Sequence, residues 1–368
     1  MLWFWIFVGP ALLLAALSLR GERKRAEYVA TRMAELNEPP TQPLSPVTLL
    51  VPVTRLGESL REYLLSLASQ DHPDFEMIIV VPDAGHMPPG TLPPVAKVAL
   101  AGEAGRTGLL RAGIRAARRH SKIFAFAPPG LVSKSWLRAL VAPLGDDGVG
   151  MSTGFRWYAP EPPTFWSLMQ SVWNSLIAAQ LDAGSTDFAW AGAMAIDKEF
   201  FFEQRVPELW IGAEREDMAL SRHVQASGRR IAFAPGAMVA CISRATSGQF
   251  VRQARREMAQ AREYLPRLWW SALLTHFIYC GAMMAAIIAS ARGNRGAEWA
   301  LVIQFGLGML KGANRATLAK AELPHLQTWF DRYSWTHTVW VPLASWVWLY
   351  VLIASAIADD RRKRLSHH

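Results

Sequence analysis

Long apolar runs bracket a chain whose middle is patterned for a globular domain. Leu2–Leu19, Leu268–Ala291 and Val339–Ala358 are almost uninterrupted by polar residues, and each approaches the ~20 residues a helix needs to cross a bilayer. Ala297–Leu310 is shorter and ends at Lys311, which suits a re-entrant or interfacial segment. Between the first two runs the period changes. Val47–Val53 and Phe75–Pro82 are short, continuous and rich in branched residues, as buried strands are. Leu60, Leu64, Leu65 and Leu67 give Glu58–Gln70 helical spacing. Strand, helix and strand with short joints predict a βαβ unit and a parallel sheet. Further strands are predicted at Val95–Leu100, Lys122–Ala127, Gly148–Arg156, Phe188–Ile196 and Arg229–Ala234, the last of the domain. Helices are predicted at Leu109–His120, Ser135–Leu144, Trp166–Leu181 and, long and polar, Ser247–Tyr264.

The organisation that follows is an α/β domain between apolar helices. Residues 1–20 form an anchor and 21–46 a connector, helical as far as Asn37, where prolines stop it. Residues 47–265 form the domain. Residues 266–358 form a membrane region of two spans with the re-entrant segment between them, and 359–368 a basic tail. The first run has no basic leader and no small-x-small cleavage pattern, so it reads as an uncleaved anchor.

Composition adds location. Of 368 residues 51% are hydrophobic, and the formal net charge is +9. Dense basic clusters, Arg20–Arg25 and Arg361–Arg364, directly follow the first and last apolar runs. Basic clusters there mark the cytoplasmic side and favour anionic lipid headgroups. The domain and the C-terminus are therefore expected in the cytoplasm, at a bacterial inner membrane. No nucleic-acid motif accompanies the charge, so nucleic acid is not an expected partner. Trp269, Trp270, Trp335, Trp340, Trp346 and Trp348 read as interfacial anchors. Cys241 and Cys280 are far apart in sequence and Cys280 sits in an apolar run, so no disulfide framework is expected.

Candidate chemistry centres on Glu214-Arg-Glu-Asp217, just ahead of a helical pattern. Acids there are either helix-start residues favoured by the dipole or a general base at the rim of a cleft. Asp83 follows the carboxyl end of the second strand, the edge where open α/β sheets bind ligands; the plain alternative is a turn cap. The arginines at 111, 115, 118 and 119 read first as a solvated helix face, and those of 252–262 equally as partners of lipid phosphate. His72 and His276 are isolated, and no metal ligand is assigned.

The order of these parts resembles the family-2-type glycosyltransferases of the GT-A fold, in particular the membrane-anchored ceramide glucosyltransferase branch with its hopanoid-associated members. Val51-Pro-Val-Thr-Arg-Leu-Gly-Glu-Ser-Leu60 and Ser66-Leu-Ala-Ser-Gln-Asp-His-Pro-Asp-Phe-Glu76 resemble the family's opening strand, helix and turn. Ala191-Gly-Ala-Met-Ala195 resembles its acceptor-side glycine segment. Glu216-Asp217 with Ala219-Leu-Ser-Arg222 resembles its Glu-Asp motif, and Gln253-Ala-Arg-Arg256 its Q-x-x-R-W helix. The resemblance covers residues 45–290. It implies a nucleotide-sugar donor, UDP-sugar in kind, and a membrane lipid acceptor, ceramide- or hopanoid-like. Pro52, Asp83 and Arg111 would serve the nucleotide, and Gln253 and Arg256 the diphosphate or the acceptor. Asp217, with Glu216 beside it, would be the catalytic carboxylate. Asp217→Asn is accordingly expected to abolish transfer without touching stability, and Glu214→Gln to do much less.

Departures from the family keep other readings open. Its Asp-x-Asp, which holds a divalent metal, falls here on Ala127-Pro-Pro-Gly-Leu-Val-Ser133, and no acid occurs between His120 and Asp146. A lysine and asparagine before the Leu109 helix are replaced by Gly105-Arg-Thr-Gly-Leu-Leu-Arg111, and the last Trp of Q-x-x-R-W is Glu257. One reading is a transferase without the usual metal, in which Arg106, Arg111, Arg252, Arg255 or Arg256 neutralises the diphosphate. Another is a pseudoenzyme, a membrane scaffold or lipid-binding subunit with a protein partner. A third, a transport or structural protein, is disfavoured by the few charges inside the apolar runs.

Overall fold

The structure is a computed structural model that describes residues 4–365 except 40–42, 55–59, 89, 91, 104, 119, 182–183 and 214, with side chains to Ile357. Residues 55–59 of the opening motif, Arg119 and Glu214 therefore lie outside the described residues.

Strands β1 (Val47–Pro52), β2 (Phe75–Val81), β3 (Ala96–Leu100), β4 (Ile123–Phe126), β5 (Val149–Thr153), β7 (Met194–Asp197) and β8 (Arg230–Phe233) form one sheet. Its order is β3-β2-β1-β4-β7-β5-β8, with β6 (Arg156–Tyr158) and β9 (Val239–Cys241) paired separately. Neighbours run parallel except at β7, which is antiparallel to both β4 and β5. The α/β class with a mostly parallel sheet is the expected one. The continuous apolar strands arise because both faces are covered. Leu49, Val51, Ile79 and Ala125 pack on one side, and Leu50, Ile78, Val80, Phe124 and Phe126 on the other.

Three strand expectations need correction. Gly148–Arg156 ends as a strand at Thr153, and Arg156 opens β6 of the separate pair. Phe188–Ile196 is extended only from Met194, because Ala193 N–H bonds the Trp190 carbonyl and closes a turn. A Cβ on Gly192 would lie 2.4 Å from the Trp190 ring, so only glycine fits there. Arg230–Phe233 is also not the last strand. Three further residues at Val239–Cys241 pair with β6, too short a run to show a period in sequence. Glu76, from the motif that suggested the family, is structural. It is buried and accepts bonds from Thr48 Oγ1 at 2.8 Å and Arg118 N–H at 2.6 Å.

Among the described residues, three helices are long and apolar enough to cross a membrane: Trp5–Asn37, Pro266–Ala291 and Trp335–Ile357. The boundary expected at residue 20 is not a break, because one helix runs Trp5–Asn37 through the connector. Nothing between Gly21 and Asn37 stops a helix, and Pro39 follows it. Its first turns pack Phe4, Val8 and Ala11 against Ala282, Ala285 and Ala286. Its later turns dock on the domain. Arg25 Nη1 donates to the Ala178 and Leu181 carbonyls at 2.7 and 2.6 Å, and Tyr28 to the Phe233 carbonyl at 2.6 Å.

The re-entrant expectation for Ala297–Leu310 is also corrected. That stretch begins a continuous helix, Arg295–Glu322, which at 1.5 Å per residue is about 42 Å long. It returns antiparallel to Pro266–Ala291, as Gln304 Nε2 bonding the Tyr279 carbonyl shows. Its polar second half concealed it from a hydropathy reading. It crosses the last helix at two glycines. A Cβ on Gly312 would stand 2.1 Å from the His337 carbonyl, and one on Gly308 2.9 Å from Pro342. The last helix, Trp335–Leu365, touches the domain near both ends of its described side chains. His337 meets Ser171 at 3.2 Å, and Arg262 donates to the Ala356 carbonyl at 3.2 Å. Trp269 and Trp348 are buried rather than interfacial; Trp348 stacks on Trp173 with centroids 4.2 Å apart.

Candidate functional site

The chain turns from β1 toward β2 and β3 on one side and β4 on the other, which opens a crevice at the carboxyl edge of the sheet. Pro52 ends β1 at that edge. Asp83 lies just beyond β2, exposed. It accepts bonds from Gly85 N–H at 2.8 Å and from His86 Nδ1 at 2.9 Å, and the bond from His86 holds its carboxyl below the usual range. Those are turn-capping contacts. Arg111 lies on the helix Arg106–Ala116, 3.8 Å from Glu103. The antiparallel direction of β7 brings its amino end, with Ala191, to the same edge as the end of β4, where Phe126 pairs Met194.

There the two acids of the Glu-Asp pair diverge, as adjacent helix residues must. Both stand in the first turn of the helix Glu216–Ala226. Glu216 turns toward the crevice and accepts from Arg106 Nε at 2.6 Å, while Arg106 Nη2 donates to the Ala191 carbonyl at 2.7 Å. Asp217 is fully buried and accepts four bonds. Arg215 Nε and Met218 N–H reach Oδ1 at 3.0 and 2.8 Å; Arg215 Nη2 and Ala191 N–H reach Oδ2 at 2.8 and 3.1 Å. A carboxylate offers about four lone-pair sites, so none is left over. Burial is the largest influence on Arg215 and opposes its charge, but the bond to Asp217 and the negative charges of Asp217 and Glu216 together raise the guanidinium. Arg215 also bonds Gln260.

Asp217 forms part of the wall of a cavity of about 350 Å³ between the domain and the apolar helices. From the domain come Arg156, Trp190 and Arg215; from the polar helix Ser247–Tyr264 come Gln253, Arg256, Glu257 and Gln260. Those four fall at i, i+3, i+4 and i+7, one helical face. Trp269, His276 and Tyr279 line it from Pro266–Ala291, and Gln304, Lys311 and Arg315 from Arg295–Glu322. Gln253 sits in a closed network. It donates to Tyr158 Oη at 2.7 Å and Glu257 Oε1 at 2.9 Å, and accepts from Gln170 at 2.7 Å. Glu257 also pairs with Arg156 and takes the Trp173 indole N–H at 3.2 Å. Burial pushes the Tyr158 phenol up. Arg256 is exposed, as are Arg252 and Arg255.

The structure thus brings Asp217, Gln253 and Arg256 to one cavity. Glu216, Pro52, Asp83 and Arg111 do not line it. Arg156, Arg215, Glu257 and Lys311 belong to its wall and were not singled out as site residues. The repeating polar face from Gln253 to Gln260 was the available signal for Glu257, and the end of an apolar run for Lys311. Residues 127–133 bring no carboxylate to the end of β4, and among the described residues no group of three or more His, Cys, Asp or Glu converges. A hard divalent cation wants several oxygen ligands, and this donor set does not fit one.

No family model matches the chain, and no curated protein does. Solved structures similar to it include a mycobacterial protein at 16% identity, over 64% of this chain and 78% of that one, with a TM-score of 0.38. Glucosyl-3-phosphoglycerate synthase from Mycobacterium tuberculosis, in complex with Mn2+, uridine diphosphate and phosphoglyceric acid, is 15% identical over 60% and 78%, at 0.38. TarS of S. aureus is 12% identical over 80% and 55%, at 0.34. At such scores the likeness is partial, and the fold description stands on the strand order itself.

Proposed function

We propose that this chain is a membrane-bound, inverting glycosyltransferase of the GT-A type, moving a sugar from a UDP-sugar to a lipid hydroxyl of ceramide- or hopanoid-like kind. The observation that carries this reading is the position of Asp217, at the seam between the carboxyl edge of the sheet and a cavity walled by apolar helices. A water-soluble donor reaches the first and a lipid the second. The acceptor oxygen attacks the anomeric carbon, the bond from that carbon to the diphosphate oxygen breaks, and nucleoside diphosphate leaves with the electron pair. The hydroxyl proton passes to Asp217 once Arg215 has moved off it. Fixed cations aimed at the leaving group supply the main stabilisation in such a step, and Arg256 is the exposed guanidinium of the cavity wall that fits this role.

A second reading has its own support. The occupied lone pairs of Asp217 and the acid-free segment after β4 also suit a catalytically silent membrane scaffold with a protein partner. Purified full-length protein in detergent, titrated with UDP with and without chelator, tests the two together with turnover on neutral lipids. The transferase reading expects UDP binding that chelator leaves unchanged, and turnover lost in Asp217→Asn. Absence of both UDP binding and turnover supports the scaffold. A strict need for Mn2+ or Mg2+ overturns the metal-free site.

A further inference from the structure

The cavity wall carries five cationic side chains, Arg156, Arg215, Arg256, Lys311 and Arg315, against two carboxylates, Asp217 and Glu257. Three of the cations are compensated. Arg156 pairs with Glu257, Arg215 with Asp217, and Arg315 with Glu22 of the first helix at 2.6 Å. Among the described residues, no hydrogen bond or ion pair within 4 Å reaches the Lys311 ammonium. Lys311 and Arg315 are one turn apart, on the same face of Arg295–Glu322. Between the glycine crossings at 308 and 312 this helix cannot swing Lys311 away from the cavity without separating from the last helix.

We infer that Lys311 is the phosphate-binding group of a lipid subsite. The lipid that occupies the cavity then carries a phosphate, beside which the neutral acceptors considered above lack the matching charge. A part-buried ammonium without an anion is costly, and charged groups among apolar helices usually mark a ligand path. Ala15, Ser18, Thr275 and Leu307 of the apolar helices line the same cavity as Lys311, room that suits a hydrocarbon chain. The donor diphosphate is assigned above to Arg256 on the domain side of this cavity, whereas Lys311 stands on the helix Arg295–Glu322 of the opposite wall, so its phosphate is assigned to a molecule entering from the bilayer. Glu22 bonds Arg315 and acts on the Lys311 ammonium only at a distance, which leaves Lys311 as the cation of the pair with no bonded anion. The inference changes the acceptor class of the transferase reading from a neutral lipid to a phosphate-bearing one, and rests on that reading only for the word acceptor.

Trp269 and Trp348 line the cavity, so intrinsic fluorescence reads binding directly. The full chain in detergent micelles is titrated with phosphatidic acid, with diacylglycerol of the same acyl chains, and with UDP. Phosphatidic acid is expected to saturate the signal and diacylglycerol to bind at least tenfold more weakly. Lys311→Gln is expected to lose about ten- to a hundredfold in phosphatidic acid affinity, the range for a hydrogen bond to a charged group. Lys311→Arg should restore it, which keeps the test decisive if the Gln variant folds poorly. Arg23→Gln, on the exposed Arg23–Glu27 pair, reports generic attraction to the micelle and should change nothing. Equal binding of the two lipids, or an unchanged Lys311→Gln, overturns the inference. Loss of UDP affinity in Lys311→Gln with phosphatidic acid unaffected assigns the group to the donor and also overturns it. Phosphatidic acid binding that depends on Lys311 in a chain that binds no UDP sinks the transferase reading and leaves the lipid subsite standing.

Discussion

Asp217 is held by the residue two places before it, and that clamp changes what a substitution there reports. An asparagine would turn an N–H toward Arg215 or toward Ala191 N–H, setting donor against donor. Leaving a buried donor unsatisfied costs about 1–3 kcal/mol. Asp217→Asn is therefore expected to lower Tm as well as to cut transfer by ~10²–10⁴-fold, and the sequence expectation of unchanged stability is withdrawn. The separating variant is Arg215→Gln, which frees the carboxylate without deleting it. It should also lower Tm. Its pH–rate profile, if Asp217 is the base, should keep an acid limb that Asp217→Asn loses; identical profiles in the two variants would remove Asp217 from the mechanism. Asp217 and Gln253 could be picked from sequence because local motifs frame them. The Arg215 clamp could not, since it joins the cap residue of a helix to its first turn, where neither the helical nor the strand period applies.

At the scale of elements, the helix Arg295–Glu322 shows how packing is written in glycines. Gly312 lies against the His337 carbonyl, and added volume there must push two helices apart, at a typical cost of about 1–3 kcal/mol for overpacking. Gly306, on the same helix, has nothing within 4 Å of a built Cβ. Gly312→Ala is expected to lower Tm in thermal unfolding. Gly306→Ala should hold or raise it, as alanine favours a helix over glycine by roughly 1 kcal/mol. A reversed order would mean the crossing is not the contact that holds this helix. The strands were legible where β-branched runs were long, in β1 and β2. The reversed direction of β7 and the pairing of β9 with β6 were not, because both depend on residues distant in sequence. The long helix was legible only in its apolar first half; the charges of its second half read as an ending because what neutralises them, Glu22 and Arg25, comes from the other end of the chain.

For the whole molecule, the hairpin of Pro266–Ala291 and Arg295–Glu322 returns the chain to the domain, where Arg25 Nη2 lies 3.5 Å from Glu322. The last helix then stays in touch with the domain at His337 and Ala356. A reporter fused to the C-terminus is expected on the same side as the domain. The sequence count reached that side with Val339–Ala358 as a crossing; the contacts favour Arg295–Glu322 as the returning segment. A reporter active on the opposite face would show that the last helix crosses.

The clasp on Arg25 also has a consequence in time. The Ala178 and Leu181 carbonyls lie 153 and 156 residues downstream, and Glu322 lies 297 residues downstream. At ~5–20 residues per second, Glu322 emerges from the ribosome roughly 15–60 s after Arg25. Through that interval the first helix is already made while one partner of its buried guanidinium does not yet exist. Docking on the domain's carbonyls comes first, and the membrane hairpin closes over it last. Nascent chains stalled before residue 295 should protect the Glu22–Asn37 half of the first helix only partly, through its contacts at Ala178, Leu181 and Phe233, and chains released beyond Glu322 should protect it fully.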